Sequence, residues 1–191
     1  MELLQAIHER RSVREFTDEP VSDAVLHELI DAAVQAPSAI NQQPWCFVVV
    51  REQPLLARIS DQAKTHLLRA SLGAPAHPFR DMLNDPQFHI FYHAPVLVVI
   101  TACQPTDWAV EDCALAAENM MLAAHGFGLG TCWIGFAQHW LGTADGKAAL
   151  ALPLSYSPIA PIIIGHPLRR PASVPRRAPN IRWLNPPSAE T

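Results

Sequence analysis

The stretch from residue 107 to 125, DWAVEDCALAAENMMLAAH, constrains this chain more than any other. Drawn as a helix, it is apolar on nearly every side, and such a helix must be enclosed rather than laid on a surface. The other segments therefore have to wrap it. Four short apolar runs at 45–50, 95–101, 130–134 and 159–164 read as buried strands. Between them the spacing predicts further helices over residues 2–10, with Leu3, Leu4 and Ile7 on one face, and from Ser22 and Asp23 to a stop at Pro37. Two more are predicted over 54–72 and 142–150. Helices and strands alternate around one sheet, which leaves α/β and α+β both open. With 191 residues and no linker, 1–191 is expected to be a single domain.

Hydrophobic residues make up 49% and charged residues 17% of the chain, against a usual charged share of about 25%. That excludes a disordered chain, and it predicts that a second subunit covers part of the surface. The net charge of −4 argues against a nucleic-acid partner. No apolar run approaches the length of a membrane span, and the first residues lack a signal-peptide core, so no membrane partner is expected. Cys46, Cys103, Cys113 and Cys132 form no C-x-x-C pair and read as thiols of a reducing, cytoplasmic compartment. Half of the 18 prolines lie beyond residue 150, so 166–191 is expected to be an extended tail. From Gly146 to Ala189 there is no acid, while Lys147, Arg169, Arg170, Arg176, Arg177 and Arg182 are basic. An anion is the expected companion of that imbalance.

Several motifs carry no chemistry of their own. Gly126, Gly128 and Gly130 follow a helix and precede a strand, the reverse of a dinucleotide fingerprint, and read as a helix cap and turn. His89 and His93 lack the further ligands a metal needs. No nucleophile elbow or acid pair is present, so an enzyme of this kind would borrow its chemistry from a cofactor. Arg10, Ser12 and Arg14 suit a phosphate, although by spacing alone they read first as a solvated helix end. The dibasic Arg176-Arg177 reads first as exposed tail. The loop at 37–45, PSAINQQPW, places small residues and then amides before an aromatic strand start, as the edge of a flat heterocycle would require. On the long helix, either Asp112 or Glu118 could anchor a buried contact. Residues 73–92, aromatic and rich in proline and histidine, read as a lid.

In this order, R-R-S-V-R-x-F at 10–16, P-S-x-x-N-x-Q-P-W at 37–45, H-A-P at 93–95, the run 116–135, G-H-P at 165–167 and P-R-R-A-P at 175–179 resemble the short, single-domain members of the nitroreductase family of FMN-dependent oxidoreductases. The resemblance implies an α+β fold, a central, mostly antiparallel sheet flanked by helices, and an obligate homodimer with FMN at its interface. It implies that Arg10, Ser12 and Arg14, helped by Arg11, hold the FMN phosphate and ribityl chain. Pro37, Ser38, Ala39 and Asn41 would approach the flavin from the other subunit. Cys132, Trp133, Ile134 and Gly135 would lie along the ring with backbone N–H groups near N5, and Arg176 or Arg177 would close on the phosphate. The implied activity is ping-pong transfer of hydride from NADH or NADPH to a small aromatic acceptor such as a nitroarene or quinone. Reductive dehalogenation, flavin fragmentation and a redox module without turnover are the alternatives. Phe79, Phe88, Phe91 and Tyr92 are candidates for an acceptor wall, or equally for a plain lid or dimer contact. Two departures stand out. Ala39 replaces a hydroxyl that the family often carries, and the tail continues Asn-Ile-Arg-Trp-Leu-Asn where family tails turn acidic.

Overall fold

The four apolar runs pair into one sheet. In the computed structural model, which describes residues 2–70, 79–104, 106–169 and 171–184, these are β1 (Trp45–Val50), β2 (Val96–Ala102), β3 (Gly130–Trp133) and β4 (Ser157–Gly165). Their order is β1-β2-β4-β3, and every neighbouring pair is antiparallel. The fold is therefore α+β. Runs of uninterrupted apolar residues could not reveal strand direction, because here they arise from helices covering both faces of the sheet.

Those helices are α1 (Leu3–Glu9), α2 (Asp23–Ala33), α3 (Gln53–Ala70), α4 (Arg80–Asn84), α5 (Ala109–Gly126), α6 (Gly135–Leu141) and α7 (Ala144–Ala149). On one face, α2 and α5 pack over Trp45, Val96, Val98, Ile100, Ile162 and Ile164. The alternate residues Leu97, Val99 and Ile163 pack on the opposite face with α3 and α6. Helix α5 is enclosed as its composition demands: Cys113, Ala116, Ala117, Met120 and Ala124 are fully buried. It ends at a turn in which Gly128 takes φ +78°, a left-handed conformation suited to glycine.

Three expectations need correction. The predicted helix at 142–150 is the shorter α7, whose N-cap Thr143 accepts from the Gly146 N–H. Before it stands α6, unforeseen because it is only seven residues long and opens on a glycine. Its buried Ala137, Trp140 and Leu141 do show helical spacing. Strand β3 stops at Trp133, one residue before the expected end. In α1, Leu3, Leu4 and Ile7 share a face as expected, but that face is exposed and Ala6 alone is buried. All four cysteines are free thiols, and burial pushes Cys113 up to about 12, helped by the charge of Asp112. Residues 73–78 of the expected lid lie outside the described residues; the remainder contains α4 and a series of turns.

Candidate functional site

The basic segment after α1 is attached to the sheet by its own backbone. Ser12 forms a parallel bridge with Thr131, and the Val13 N–H donates to the Thr131 carbonyl at 2.9 Å. Val13 is buried against Gly130, where an added Cβ would lie 2.6 Å from a Val13 methyl. Any side chain at 130 would push the segment off β3. On its outer side the segment is clasped by the start of the tail: Thr17 donates to His166, Leu168 donates to Glu15, and Arg169 pairs with Glu15 at 2.6 Å. Because Val13 turns inward, strand alternation presents Ser12 and Arg14 outward, and both are exposed.

The arginines then differ in what they touch. Arg11 donates to the carbonyls of His8 and Arg10 at 2.7 and 2.8 Å and reaches Ser173 at 3.4 Å. It is thus committed largely to the end of α1. Arg10 is 20% exposed and lies 3.5 Å from the Glu118 carboxylate on α5. Arg14 sits over the Tyr92 ring, 5.8 Å from its centroid. A cleft of about 490 Å³ is lined by Arg10, Arg11, Thr131, Leu129 and Ser173 among others. A second, of about 480 Å³, shares Val13 and Pro171 with it and is lined by Ser12, Arg14 and Arg169. Both volumes fall in the roughly 300–1,000 Å³ range of cofactor pockets.

At the end of β3, Cys132 faces the core. Burial pushes its thiol up, opposed by the nearby Arg14 and Arg10 charges and a hydrogen bond with Ser12. The Ile134 N–H is taken by the Pro161 carbonyl at 2.8 Å. Gly135 is exposed and opens α6, where the first amides have no intrahelical acceptor. Of the four residues expected beside the ring, Gly135 is the most exposed, and its N–H has no intrahelical acceptor. Phe136 follows it and stands edge-on to Phe79 and Phe88, and Phe88 is edge-on to Tyr92. An aromatic row thus leads from α4 to Arg14. Phe91 is not part of it: it is fully buried in the lower core, a correction to the expected wall.

The loop at 37–44 is built by itself. Ala39–Asn41 is a single 3-10 turn, and Ile40, Asn41 and Gln43 all take left-handed φ values of 45°, 60° and 49°. The Gln43 N–H donates to Ser38 Oγ at 2.9 Å, and the Gln43 amide donates to Asn41 Oδ1 at 3.0 Å. Asn41 and Gln43 are therefore partnered with each other. Ala39 N–H donates to Asp112 Oδ1 at 3.1 Å, so of the two acids on α5 it is Asp112 that anchors this contact. Neither basic cleft is lined by a residue of this loop. In the single chain, the two expected halves of the site stay apart.

Arg176 and Arg177 are exposed and enter no hydrogen bond or ion pair among the described residues. His89 lies 4.6 Å from His93, and burial together with His93 lowers its pKa to about 4. Among the described residues no group of side chains could hold a metal ion, and no helix is long and apolar enough to cross a membrane. The donor set fits a phosphate-bearing flavin. Arg10, Ser12 and Arg14 offer charge-assisted donors at one end, the buried Arg11 Nε has no partner among the described residues, and the Gly135 amide is open at the other end.

The antiparallel sheet, with helices on both faces and basic clefts beside β3, defines an α+β fold with cationic groups gathered at one edge. The chain belongs to the nitroreductase family, whose model matches residues 7–166. A Methanothermobacter thermautotrophicus protein provisionally named NADH dehydrogenase/NAD(P)H nitroreductase is 30% identical over 91% of this chain and 81% of its own length. The Bacillus subtilis FMN reductase [NAD(P)H] is 29% identical, covering 92% of this chain and 70% of itself. Among solved structures, a Bacteroides fragilis nitroreductase with bound FMN matches with a TM-score of 0.80 and 26% identity, covering 96% of this chain and 100% of that one.

Proposed function

We propose that this chain is an FMN-dependent NAD(P)H oxidoreductase that acts as a homodimer on small electrophilic aromatics, nitroarenes and quinones among them. The observation that carries this reading is the seating of Arg10, Ser12 and Arg14 on β3 beside the open Gly135 amide, in a member of the nitroreductase family. FMN, when bound, supplies hydride chemistry at N5, taking two electrons from NAD(P)H and passing them to the acceptor in a separate half-reaction. The protein's part is to bind, orient and shield. Arg10 and Arg14 balance a phosphate that carries nearly two negative charges, and Ser12 adds a neutral donor. Glu118 beside Arg10 keeps that guanidinium at the crevice rather than in solvent. The Gly135 N–H is a fixed donor toward the ring edge, and Phe136, Phe88 and Tyr92 give a flat acceptor an aromatic wall.

A second copy completes the site. The apolar face of Leu3, Leu4 and Ile7 on α1, and the separate side chains Trp108, Val110 and Leu115 at and after the start of α5, are exposed in one chain, more than a lone subunit needs. The loop at 37–44 and the uncontacted Arg176 and Arg177 would then serve the partner's crevice. Purified protein is expected to be yellow, dimeric in light scattering, and bleached anaerobically by NADH or NADPH. Reoxidation by nitroarenes or quinones, with product analysis, separates reduction from dehalogenation or flavin fragmentation. A colourless protein that takes up no added FMN ends the proposal, and a flavoprotein that neither nicotinamide bleaches is a redox module instead.

A further inference from the structure

Asp112 is an anomaly in an apolar helix. It is 4% exposed on the first turns of α5, in the cluster that includes Cys113, Ala116 and Met120. Its Oδ1 accepts the Ala39 N–H, while its Oδ2 is buried without a donor among the described residues. A buried carboxylate with one donor weakens a core, and an apolar or amide residue would pack there at lower cost. The α5 N-terminal dipole offsets only part of that penalty. The Ala39 tie is therefore the contact for which an explanation is needed.

That tie controls an unusual loop. Ile40, Asn41 and Gln43 are all left-handed, and for a β-branched residue such as Ile40 this is strained. Ile40 is also 90% exposed, so burial of its own side chain does not account for the strain. The other side-chain bonds within 37–43 are internal, Ser38 with Gln43 and Asn41 with Gln43, and beyond them the Pro44 carbonyl accepts from the Cys103 N–H and Sγ. The loop is thus a small rigid body, and Asp112 is the side chain that fastens it to the central helix. At its α5 end, the position of residues 38–43, and hence of whatever they meet in a second copy, is set by the Asp112–Ala39 hydrogen bond.

We propose that Asp112 is a positioning residue: through the Ala39 N–H it sets where the 37–43 loop meets the flavin of the partner subunit. This rests on the FMN reading above. The Asp112 carboxylate itself touches no reacting atom; it acts through the loop.

The test uses the full chain, first without flavin and then with FMN. Hydrogen exchange in the apo protein should speed up about tenfold or more over 38–43 in Asp112→Ala, with the sheet and the rest of α5 unchanged. FMN should bind about tenfold or more weakly in this variant, in line with loss of a hydrogen bond to a charged group. The midpoint potential of the bound flavin should also shift. Asp112→Asn, which keeps the acceptor and the shape, should recover most of each change. Ala39→Pro deletes the donor instead, and should weaken FMN to a similar extent; combining it with Asp112→Ala should cost little more. If Asp112→Ala is too unstable to purify, the Asn and Pro variants carry the same comparison. Wild-type FMN affinity and potential in a folded Asp112→Ala protein overturn the positioning role while leaving the FMN reading intact. Additive losses in the double variant overturn it too, since they show Asp112 acting elsewhere. A wild-type chain that takes up no FMN overturns both.

Discussion

Two regions of this molecule carry the guanidinium groups proposed to meet one phosphate, and they are held in opposite ways. The segment at 10–14 is bonded to Thr131, seated by buried Val13 on Gly130, and clasped from outside by 166–169. Arg176 and Arg177 lie farther along the same tail, exposed and without a bonded neighbour among the described residues. The arginines of the first segment are placed before any ligand arrives. The second must be placed by a ligand or by another subunit, and so must lose conformational freedom on binding. Preorganised charge contributes more to affinity than charge that has to be gathered.

The largest expected effect, because it strikes folding and flavin binding together, breaks the first region at its seat. Gly130→Ala puts a Cβ against Val13 and should cost about 1–3 kcal/mol of stability, as overpacking does. FMN affinity should fall with it, and chemical unfolding with a parallel flavin titration reads both. Unchanged unfolding would mean that the segment is not seated where it is described. Next comes Arg10→Ala, which should weaken FMN by about 1.5–3 kcal/mol, roughly ten- to a hundredfold, through loss of a charge-assisted bond. Its apo stability should barely move, since the Glu118 pair is partly solvent-exposed.

The tail arginines should give less. Arg176→Ala and Arg177→Ala, made separately, are expected to weaken FMN by no more than about tenfold. Neither should change the apo unfolding midpoint, and the weaker binder identifies the phosphate ligand. A clear drop in apo stability would show that the tail is already fixed without ligand, erasing the contrast.

The smallest effect concerns the turn beneath the aromatic row. Burial, and then His93, keep His89 neutral down to about 4, with Asp61 opposing and Lys64 assisting. The unfolded chain takes up that proton near pH 6.5, so unfolding binds protons between those values and stability falls as the pH drops through them. His89→Asn retains an acceptor for the Phe91 N–H and should flatten this part of the stability profile. Urea midpoints at pH 7 and 5 measure the difference; equal slopes in both proteins would count against a buried neutral imidazole.

Much of the architecture was legible because periodicity reports burial directly. The apolar surround of α5 and the buried β2 followed from pattern, and so did the inward face of α3, where of the expected Leu55, Leu56, Ile59, Ala63 and Leu67 the middle three are buried and the outer two partly so. Helix α6 does not stand out although Ala137, Trp140 and Leu141 are spaced for it, because seven residues opening on a glycine give too short a pattern. The arginines, the 37–45 loop and Gly135 were all legible as candidates. Their standing was not, since spacing cannot separate Arg11, committed to carbonyls of α1, from Arg10, which faces the crevice.

From composition and pattern alone came the enclosed helix, the buried strands it packs on and the cluster of arginines. These depend on hydrophobicity and charge, which each residue carries with it. Strand direction, the seat of Val13 on Gly130, the expenditure of the Ile134 amide on Pro161 and the tie from Asp112 to Ala39 were decided only in three dimensions. Each depends on which distant backbone group comes to lie opposite, and hydrogen bonds between residues 73 positions apart leave no periodicity in a sequence.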